Sequence, residues 1–491
     1  MKRNFLRVAI VALAALSFGS FLADQPGESG ALGNRVDQAS VALMSVGEAA
    51  EHGLRIFTTP FNKLDGYGDG PHDPVDTISP GGRPTLQGNG TLLRVNGLDA
   101  QACFECHTLV SNATIPATLG IGGAGGTNAN AMFQPSSMDP ADFNDLDGEA
   151  EFTGRFINPP FLFGVGGVEL AGLEMTADLQ TLKQYAIDNP GVPVLLETKG
   201  VEFGTIVADG FGNVDTSAVE GVSDDLVIRP FGRKGDNATT RDFDIGAMMF
   251  HFGMQPVEQV GLGDPDNDGV EDEILPGELS VLGVFLSTLA RPVQGKVLGP
   301  AVEGEALFSS LGCADCHIPF LDTIRTHLPL RFPEVATDPW VNVYKSLDLT
   351  KKPADFSINS SGGLRVPMFA DLKRHDMGPG LAEDFALADD ATNAEFTTAK
   401  LWGVVDSGPW LHDGRALTIS DAILLHGGEA QAARDAFDTL TDGEKVSVLA
   451  FLRTLQTPKP NSAGGGNGHP RTLRPTLTTN TIGGHTISRR D

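Results

Sequence analysis

Cysteine, tryptophan, tyrosine and positive charge are all scarce in this chain of 491 residues. Lysine and arginine number 35 against 63 acidic residues, which gives a formal net charge of −28. A protein that binds nucleic acid needs a basic surface to meet phosphate, so this composition argues against that class. The hydrophobic share of 41% is large enough for real cores, and the length suggests two or three domains.

Long hydrophobic runs are also missing, except at the start of the chain. A basic segment, residues 1–7, precedes the apolar stretch 8–18 and several small residues that end at Ala23. Because the apolar stretch is too short for a comfortable membrane span, we predict a signal peptide over residues 1–23 and no stable membrane span. An uncleaved membrane tether is the alternative. Either way, the predicted location is the periplasm or an equivalent compartment.

The four cysteines occur in two copies of one motif, Cys-x-x-Cys-His. In an exported protein this motif is the attachment signature of c-type haem. Two thiols at this spacing form thioethers to the two vinyl groups of one porphyrin, and the adjacent histidine becomes the proximal iron ligand. The sequence therefore predicts two covalent haems. Their attachment residues and proximal ligands are Cys103, Cys106 and His107, and Cys313, Cys316 and His317.

Other uses of a Cys-x-x-Cys pair explain the sequence less well. A thioredoxin-like redox pair does not need a following histidine and would usually occur once, beside a βαβ pattern. A disulfide that closes a loop of two residues is strained and removes little chain entropy. A zinc site with four cysteines would require the pairs to converge across 210 residues, and it gives no role to either histidine.

The chain contains an internal repeat. The segment Glu278–Pro292 recurs as Glu444–Pro458 at an offset of 166 residues, with Glu, Phe-Leu, Thr-Leu and Pro in common. Each copy has apolar residues at helical spacing and ends at proline, which predicts a helix that closes each haem domain. We expect the first haem domain over residues 24–295 and the second over 296–458. The tail, 459–491, is rich in Gly, Pro, Asn, Ser and Thr and is predicted to be disordered.

A shorter echo places one histidine before each closing helix. Ala247–Gly253 and Ala422–Gly428 both read alanine, three apolar residues, histidine, one spacer and glycine. A neutral imidazole at the end of an apolar helix is well suited to bind haem iron, so we predict His251 and His426 as the sixth ligands. The alternative for each is a core histidine, or one that satisfies carbonyls at a helix end. Two methionines beside His251 are rival ligands at the first haem.

The second half carries sharper signatures, which follow one another in a fixed order. They read His-Asp-Met-Gly-Pro-Gly-Leu-Ala from His375, Leu-Trp-Gly-Val from Leu401, Leu-His-Asp-Gly-Arg-Ala from Leu411 and Leu-His-Gly-Gly-Glu-Ala from Leu425. Together they resemble the di-haem oxidoreductase (putative peroxidase) family of the bacterial di-haem cytochrome c peroxidase superfamily. The resemblance is strong over residues 303–456 and looser over 43–292. It implies a mainly α fold with two cytochrome c-like haem domains and long irregular loops.

The resemblance also implies a periplasmic enzyme that reduces hydrogen peroxide, or a related oxidant, with electrons from a small redox protein. Peroxide cleavage needs a group that moves a proton between the oxygens, and a cation or donor that stabilises the separating charge. The candidates for these catalytic roles near the second haem are His375, His412, Asp413, Arg415 and Glu429. The alternative for the His-Asp-Gly-Arg segment is a structural turn, and Arg415 is equally a candidate for binding haem propionates.

A di-haem electron-transfer cytochrome without peroxidase activity is the alternative function. A haem closed by histidine on both sides passes electrons but does not bind peroxide until one ligand leaves. The paired His251 and His426 favour this alternative, whereas the motif-rich second half favours the peroxidase. Relatives commonly pair, so a homodimer also stays open.

An acidic segment between the first haem motif and its closing helix resembles the first half of a calcium loop. Asp264, Asp266 and Asp268 occupy alternate positions and glycine follows. The glutamate expected at the twelfth position is replaced by leucine, so Asp272 or Glu273 would have to substitute for it. Ca²⁺ binding is one interpretation of the segment, and a solvated acidic turn is the other.

Overall fold

The computed structural model describes residues 29–68, 100–107, 132–139, 151–383, 393–458, 480–482 and 485–487. The predicted signal peptide and most of the predicted tail lie outside these residues. Among the helices in the described ranges, none combines the length and the apolar character that crossing a bilayer requires.

The regular elements are short and numerous. The α-helices are α1 (Gln38–Leu43), α2 (Val46–Thr58), α3 (Val165–Asp188), α4 (Thr240–Ala247), α5 (Val257–Val260), α6 (Pro276–Ser287), α7 (Pro300–Ser310), α8 (Cys313–Cys316), α9 (Ile419–Leu424), α10 (Gln431–Asp438) and α11 (Asp442–Leu452). A π-helix, Met248–Phe252, continues α4, and 3₁₀ turns lie at Lys63–Asp65, Cys103–Glu105, Val404–Asp406 and Gly428–Ala430.

The strands form sheets of two or three strands. They are β1 (Met132–Asp139), β2 (Glu151–Ile157), β3 (Val194–Thr198), β4 (Val201–Ala208), β5 (Val214–Val219), β6 (Val293–Gln294), β7 (Leu321–Asp322), β8 (His327–Arg331), β9 (Val343–Asp348), β10 (Ser357–Ile358), β11 (Leu364–Val366), β12 (Arg374–Asp376), β13 (Glu395–Thr397), β14 (Leu455–Gln456), β15 (Asn480–Ile482) and β16 (His485–Ile487). The pairings are antiparallel, in the orders β1-β2, β3-β4-β5, β10-β11-β7, β8-β9, β12-β13, β14-β6 and β15-β16.

The predicted mainly α fold with two cytochrome c-like domains is wrong. The structure is 37% helix and 16% strand. Strands occupy segments between the haem motifs and the closing helices, where many glycines and prolines suggested irregular loops. β3 shows what was missed, because its five residues alternate strictly between buried and exposed positions. That two-residue period is the signature of a strand with one face on a core.

The two closing helices predicted from the repeat are confirmed as α6 and α11, and each packs against an earlier helix at a glycine. A Cβ atom on Gly53 of α2 would lie 2.0 Å from the carbonyl oxygen of Val281 in α6. A Cβ atom on Gly304 of α7 would lie 1.8 Å from that of Ser447 in α11. Val281 and Ser447 are separated by 166 residues, the offset of the sequence repeat. Each half therefore contains the same helix contact, in which only glycine fits.

The halves are joined by strand pairing as well as by packing. β6 follows α6 and β14 follows α11, and these two strands pair with each other. A large apolar core includes α2, α3, α6 and the β3-β4-β5 sheet, and it also takes in side chains from residues 321–372. A smaller core surrounds Phe308, Phe369 and Phe451. Second-half residues thus contribute to both cores, and the predicted domain boundary at residue 295 stays a prediction.

We predict that Gly53→Ala destabilises the protein by about 1–3 kcal/mol, because the new methyl group overlaps a backbone carbonyl that belongs to another helix. Thermal and urea unfolding measure the loss. The matched control is Gly47→Ala in the same helix, where a Cβ atom meets nothing within 4 Å. Alanine there is expected to be neutral or to stabilise by up to about 1 kcal/mol. Equal stabilities of the two variants would contradict the close helix contact.

Candidate functional site

The second Cys-x-x-Cys-His motif forms the one-turn helix α8, and its histidine follows immediately. Cys313 and Cys316 are free thiols of intermediate exposure. The Nδ1–H group of His317 donates a hydrogen bond to the carbonyl oxygen of Phe369 at 3.2 Å. Burial, followed by the nearby His426, lowers the pKa of His317 to about 4. The ring is therefore neutral near pH 7, and its Nε2 atom keeps the lone pair that a metal ligand needs.

His426 lies beside His317, with their ring centres 6.4 Å apart. Two imidazoles that each bond one metal ion at about 2 Å have ring centres about 6 Å apart, so the spacing fits an iron between them. The Nδ1–H group of His426 donates to the carbonyl oxygen of Ala422 at 2.7 Å, and burial lowers its pKa. One nitrogen therefore satisfies a carbonyl in the preceding helix, while the other is left for the metal. Binding iron and satisfying a carbonyl at a helix end, the two alternatives predicted for His426 from the sequence, are therefore compatible.

Glycines bring the segment that carries His426 close to the chain after β12. A Cβ atom on Gly428 would lie 2.1 Å from the carbonyl oxygen of Asp376, and one on Gly378 would lie 2.8 Å from the amide nitrogen of Gly428. Both glycines have positive φ angles, of 52° and 75°. A side chain at either position would therefore push the two segments apart. This contact explains why glycine occupies position 378 in the signature that begins at His375 and position 428 in the signature that begins at Leu425.

His375 is held between two carboxylates. Its Nε2 atom lies 2.8 Å from Asp371 and its Nδ1 atom lies 2.7 Å from Glu429, whose other oxygen accepts a hydrogen bond from the Asp376 amide. Burial alone would lower the pKa of His375, but the hydrogen bond to Asp371 and further bonds to Cys316 and Glu429 raise it to about 11. A ring whose two N–H groups are both engaged by carboxylates is suited to positioning, rather than to moving a proton.

The sulfur of Cys316 lies 4.0 Å from Nδ1 of His375, and with Asp371 these groups have the spacing of a small metal site. A cysteine that forms a thioether is no longer available as a thiolate ligand. The two uses of Cys316 exclude each other, and the position of His317 next in the chain favours haem attachment.

The His-Asp-Gly-Arg segment forms a turn, closed by a bridge between Trp410 and Ala416. His412 stacks on Phe396 with ring centres 4.4 Å apart, and burial lowers its pKa to about 4. Asp413 and Arg415 form an ion pair, and Arg415 also donates to the carbonyl oxygen of Gly380 at 2.9 Å. The predicted catalytic residues therefore form two clusters, around His375 and around His412, which are joined through Phe396, the residue opposite His375 in the β12-β13 pair. A catalytic role or a propionate-binding role for these residues stays a prediction.

The first Cys-x-x-Cys-His motif is built similarly. Cys103 begins a 3₁₀ turn, and the Nδ1–H group of His107 donates to the carbonyl oxygen of Pro160 at 2.8 Å. Burial lowers the pKa of His107 to about 4, and the nearby charge of His251 acts in the same direction. His251 lies in the π-helix after α4, a type of helix that is frequent at functional sites. The structure thus brings the predicted proximal and distal ligands of the first haem near each other.

Buried carboxyl groups lie near the first motif, and the sequence did not reveal their role. Asp244 acts electrostatically on Cys103, and its Oδ2 atom is buried without a hydrogen-bond partner among the described residues. Glu169 is 1% exposed and accepts two hydrogen bonds from Thr240, at 3.0 Å and 2.9 Å. Burial, followed by the charge of Glu334, raises the pKa of Glu169 to about 7. A lone glutamate in the apolar stretch 161–173 was the available signal.

The residues of the predicted calcium loop are also brought together. The carboxylate oxygens of Asp264, Asp266 and Asp268 lie within 4.8 Å of one another.

Residues 281–455 match the protein-family model described as "Di-haem oxidoreductase, putative peroxidase". The predicted resemblance to the di-haem oxidoreductase family is confirmed. The matched segment contains the second haem motif, His426 and both clusters of predicted catalytic residues. It begins within α6 and ends in β14, so the first haem motif lies outside it. The description of the family names two haems. The residues around His317 are suited to hold one of them.

Solved structures give weaker likenesses. The chain is 17% identical to the hydrazine synthase of Kuenenia stuttgartiensis determined under xenon pressure, over 39% of this chain and 59% of that one, with a TM-score of 0.22. It is 10% identical to a MauG-like protein associated with microbial copper homeostasis, over 60% of this chain and 91% of that one, with a TM-score of 0.29. Scores this low do not define the fold. No curated protein sequence matches the chain.

We predict that Glu169→Gln flattens the pH dependence of stability between about pH 4.5 and 7. In the folded protein the pKa of Glu169 is raised from 4.5 to about 7, so its contribution to stability is fully present below pH 4.5 and is lost as the pH rises through 7. The difference between wild type and variant is expected to change by at most about 3 kcal/mol across this range. Urea unfolding at a series of pH values measures it.

The exposed Glu197 of β3 provides the matched control for this measurement. Glu197→Gln is expected to follow the wild-type profile. If Glu169→Gln also followed it, Glu169 would not be a carboxyl with a raised pKa.

Proposed function

We propose that this protein is a periplasmic di-haem c-type oxidoreductase that reduces hydrogen peroxide, or a related oxidant, with electrons from a small redox protein. The family match over residues 281–455 supports a di-haem oxidoreductase. The signal-like residues 1–23 support export, and the net charge of −28 suits a basic electron donor.

The residues of both motifs are suited to hold a covalent haem, which supplies one-electron redox chemistry when it is bound. The cysteines form the thioethers. His107 and His317 are each held by a carbonyl oxygen at Nδ1, so their Nε2 atoms are available to the iron in a fixed tautomer. This hydrogen bond also orients each ring.

The single observation that carries the peroxidase proposal is the contrast between the two sites. His426 lies at the spacing that closes the second site on its distal side, which suits a relay of electrons. At the first site Asp244 acts electrostatically on Cys103, and Glu169 acts in turn on Asp244; both are buried carboxyl groups with raised pKa values. Glu169, with a pKa of about 7, is able to hold or release a proton near neutral pH. We therefore propose that the oxidant is reduced at the first site.

His251 is then a ligand that has to move aside, or a neighbour that does not bind the iron. A single turn of π-helix is a place where such a local shift costs little regular hydrogen bonding. In the second half, His375 and Glu429 position the segment around His426, because Glu429 lies three residues after it and is bonded to both His375 and the Asp376 amide.

A di-haem electron-transfer protein is the second candidate function. The spacing of His317 and His426, and the electrostatic contact between His107 and His251, favour it. If both irons stay six-coordinate in every oxidation state, no position is open for peroxide.

Electron paramagnetic resonance of the fully oxidised protein, in which both irons are ferric and visible, tests the distal ligands on which the two functions differ. We expect a low-spin signal from the second haem that becomes high-spin in His426→Ala, because the distal ligand is lost. His251→Ala should change the signal of the first haem and leave the second unchanged. His327→Ala replaces an exposed histidine of β8 and is the control. If neither substitution altered a spectrum, the distal assignments would be wrong.

Peroxide turnover gives a complementary test. Glu169→Gln is expected to lower peroxide turnover by about 100-fold or more, because the carboxyl group that moves the proton is lost while its size and fold contacts remain. The haem spectra should stay unchanged. Persistent low-spin signals at both haems in wild type, without turnover of peroxide, would eliminate the enzyme.

The covalent attachment itself is tested by mass. Protein expressed with intact cytochrome maturation machinery should exceed the mass of its polypeptide by two haem groups. The double variant Cys313→Ala/Cys316→Ala should keep one haem, since Cys103 and Cys106 are untouched. A colourless wild-type protein would overturn the proposal.

A further inference from the structure

The acidic segment Asp264–Glu273 has the backbone of a cation loop. The carboxylate of Asp264 accepts hydrogen bonds from the amides of Asp268 at 3.0 Å and Gly269 at 3.1 Å, and Asp268 accepts one from Val270 at 2.7 Å. Gly269 has a φ angle of 98°, which fits the sharp turn that calcium loops make after their third acidic position. These bonds turn the three aspartates towards one point, where their oxygens lie within 4.8 Å of one another.

Two buried carboxylate oxygens in this region lack a partner among the described residues. Asp266 is 0% exposed and its Oδ2 atom makes no hydrogen bond, and Glu273 is 2% exposed and its Oε1 atom makes none. The charges of all three aspartates act on Glu273, so its carboxylate lies in their neighbourhood, outside the group of three whose oxygens lie within 4.8 Å of one another. A buried charge without a partner is costly, so two unpartnered carboxylate oxygens in one loop point to a bound cation.

We propose that Asp264, Asp266, Asp268 and Glu273 bind one Ca²⁺ ion. The donors are all oxygens, as a hard cation requires, and four carboxylates suit Ca²⁺ better than Mg²⁺, which keeps several waters and demands near-ideal octahedral geometry. Glu273 takes the place of the glutamate that the twelfth loop position lacks. It occupies the tenth position instead, and the fold turns it back towards the aspartates.

The ion would stabilise the segment that carries His251. The second oxygen of Glu273 accepts a hydrogen bond from the amide of Gln255 at 2.7 Å, and Gln255 lies four residues after His251. On the other side, a Cβ atom on Gly66 would lie 2.3 Å from Glu273, and the amide of Gly68 donates to the carbonyl oxygen of Phe252 at 3.0 Å. Glu273 therefore connects the calcium loop to both chain segments around the π-helix.

The experiment is a calorimetric titration of the full-length haem-loaded protein with CaCl₂, after treatment with a chelator. We expect one ion per chain in wild type, and an affinity weaker by about tenfold or more in Asp266→Asn and Glu273→Gln, because each variant removes one charged ligand. Glu271→Gln is the matched control, since it makes the same change of charge on an exposed side chain of the same loop. Its affinity should equal that of wild type.

Thermal unfolding supplies a second readout that does not depend on enzymatic activity. Ca²⁺ should raise the melting temperature of wild type and Glu271→Gln, but not that of Asp266→Asn or Glu273→Gln. With chelator present, Asp266→Asn should be at least as stable as wild type, because it removes a buried unpaired charge. If Asp266→Asn failed to fold, the wild-type and Glu273→Gln titrations would decide the question.

No saturable Ca²⁺ binding in wild type, or unchanged affinity in the two ligand variants, would overturn the proposal and leave a solvated acidic turn. The consequence for His251 rests on the proposed haem ligation and has its own readout. Removal of Ca²⁺ should shift the spectrum of the first haem and leave the second unchanged. A calcium site without that shift would separate the two proposals.

Discussion

One hydrogen bond recurs at each candidate haem site and supports the rest of the functional interpretation. The Nδ1–H groups of His107, His317 and His426 donate to the carbonyl oxygens of Pro160, Phe369 and Ala422. This bond determines the tautomer, fixes the plane of the ring and leaves Nε2 with its lone pair. Burial keeps all three rings neutral, and the hydrogen bond fixes their orientation. Each ring is therefore preorganised to bind a metal ion.

The charges around the two sites are arranged differently, and this difference gives the sites different chemistry. Near the second motif, the imidazolium of His375 is neutralised by Asp371 and Glu429, so its charge is fixed and the surrounding segments are held together. Near the first motif, Asp244 and Glu169 are buried carboxyl groups that favour the protonated form. A fixed ion pair is suited to structure, whereas a carboxyl with a pKa near 7 is suited to proton transfer.

Local patterns in the sequence predicted the parts of the molecule that depend on neighbouring residues. Short segments were enough to predict three features: the two haem motifs, the closing helices α6 and α11, and the family resemblance. Motif spacing and helical periodicity both depend on residues that are close in sequence. The mainly α fold was wrong, because strands such as β3 are set by a two-residue alternation that was overlooked among glycines and prolines. The catalytic roles of His375 and His412 stay a prediction, and the structure adds that Phe396 lies opposite the first and stacks on the second.

The sequence by itself determined which residues are suited to attach haem, to bind a metal ion or to form the acidic loop, since residue type and spacing carry that information. Only the tertiary structure decided which of them meet. It brought the rings of His426 and His317 to a centre distance of 6.4 Å across more than a hundred residues, buried Glu169 against Thr240 and placed Glu273 in the neighbourhood of the three aspartates. The physical reason is that burial and long-range contact change what a side chain does. A glutamate in water is an anion, but enclosed by protein it becomes a proton donor or an ion's partner.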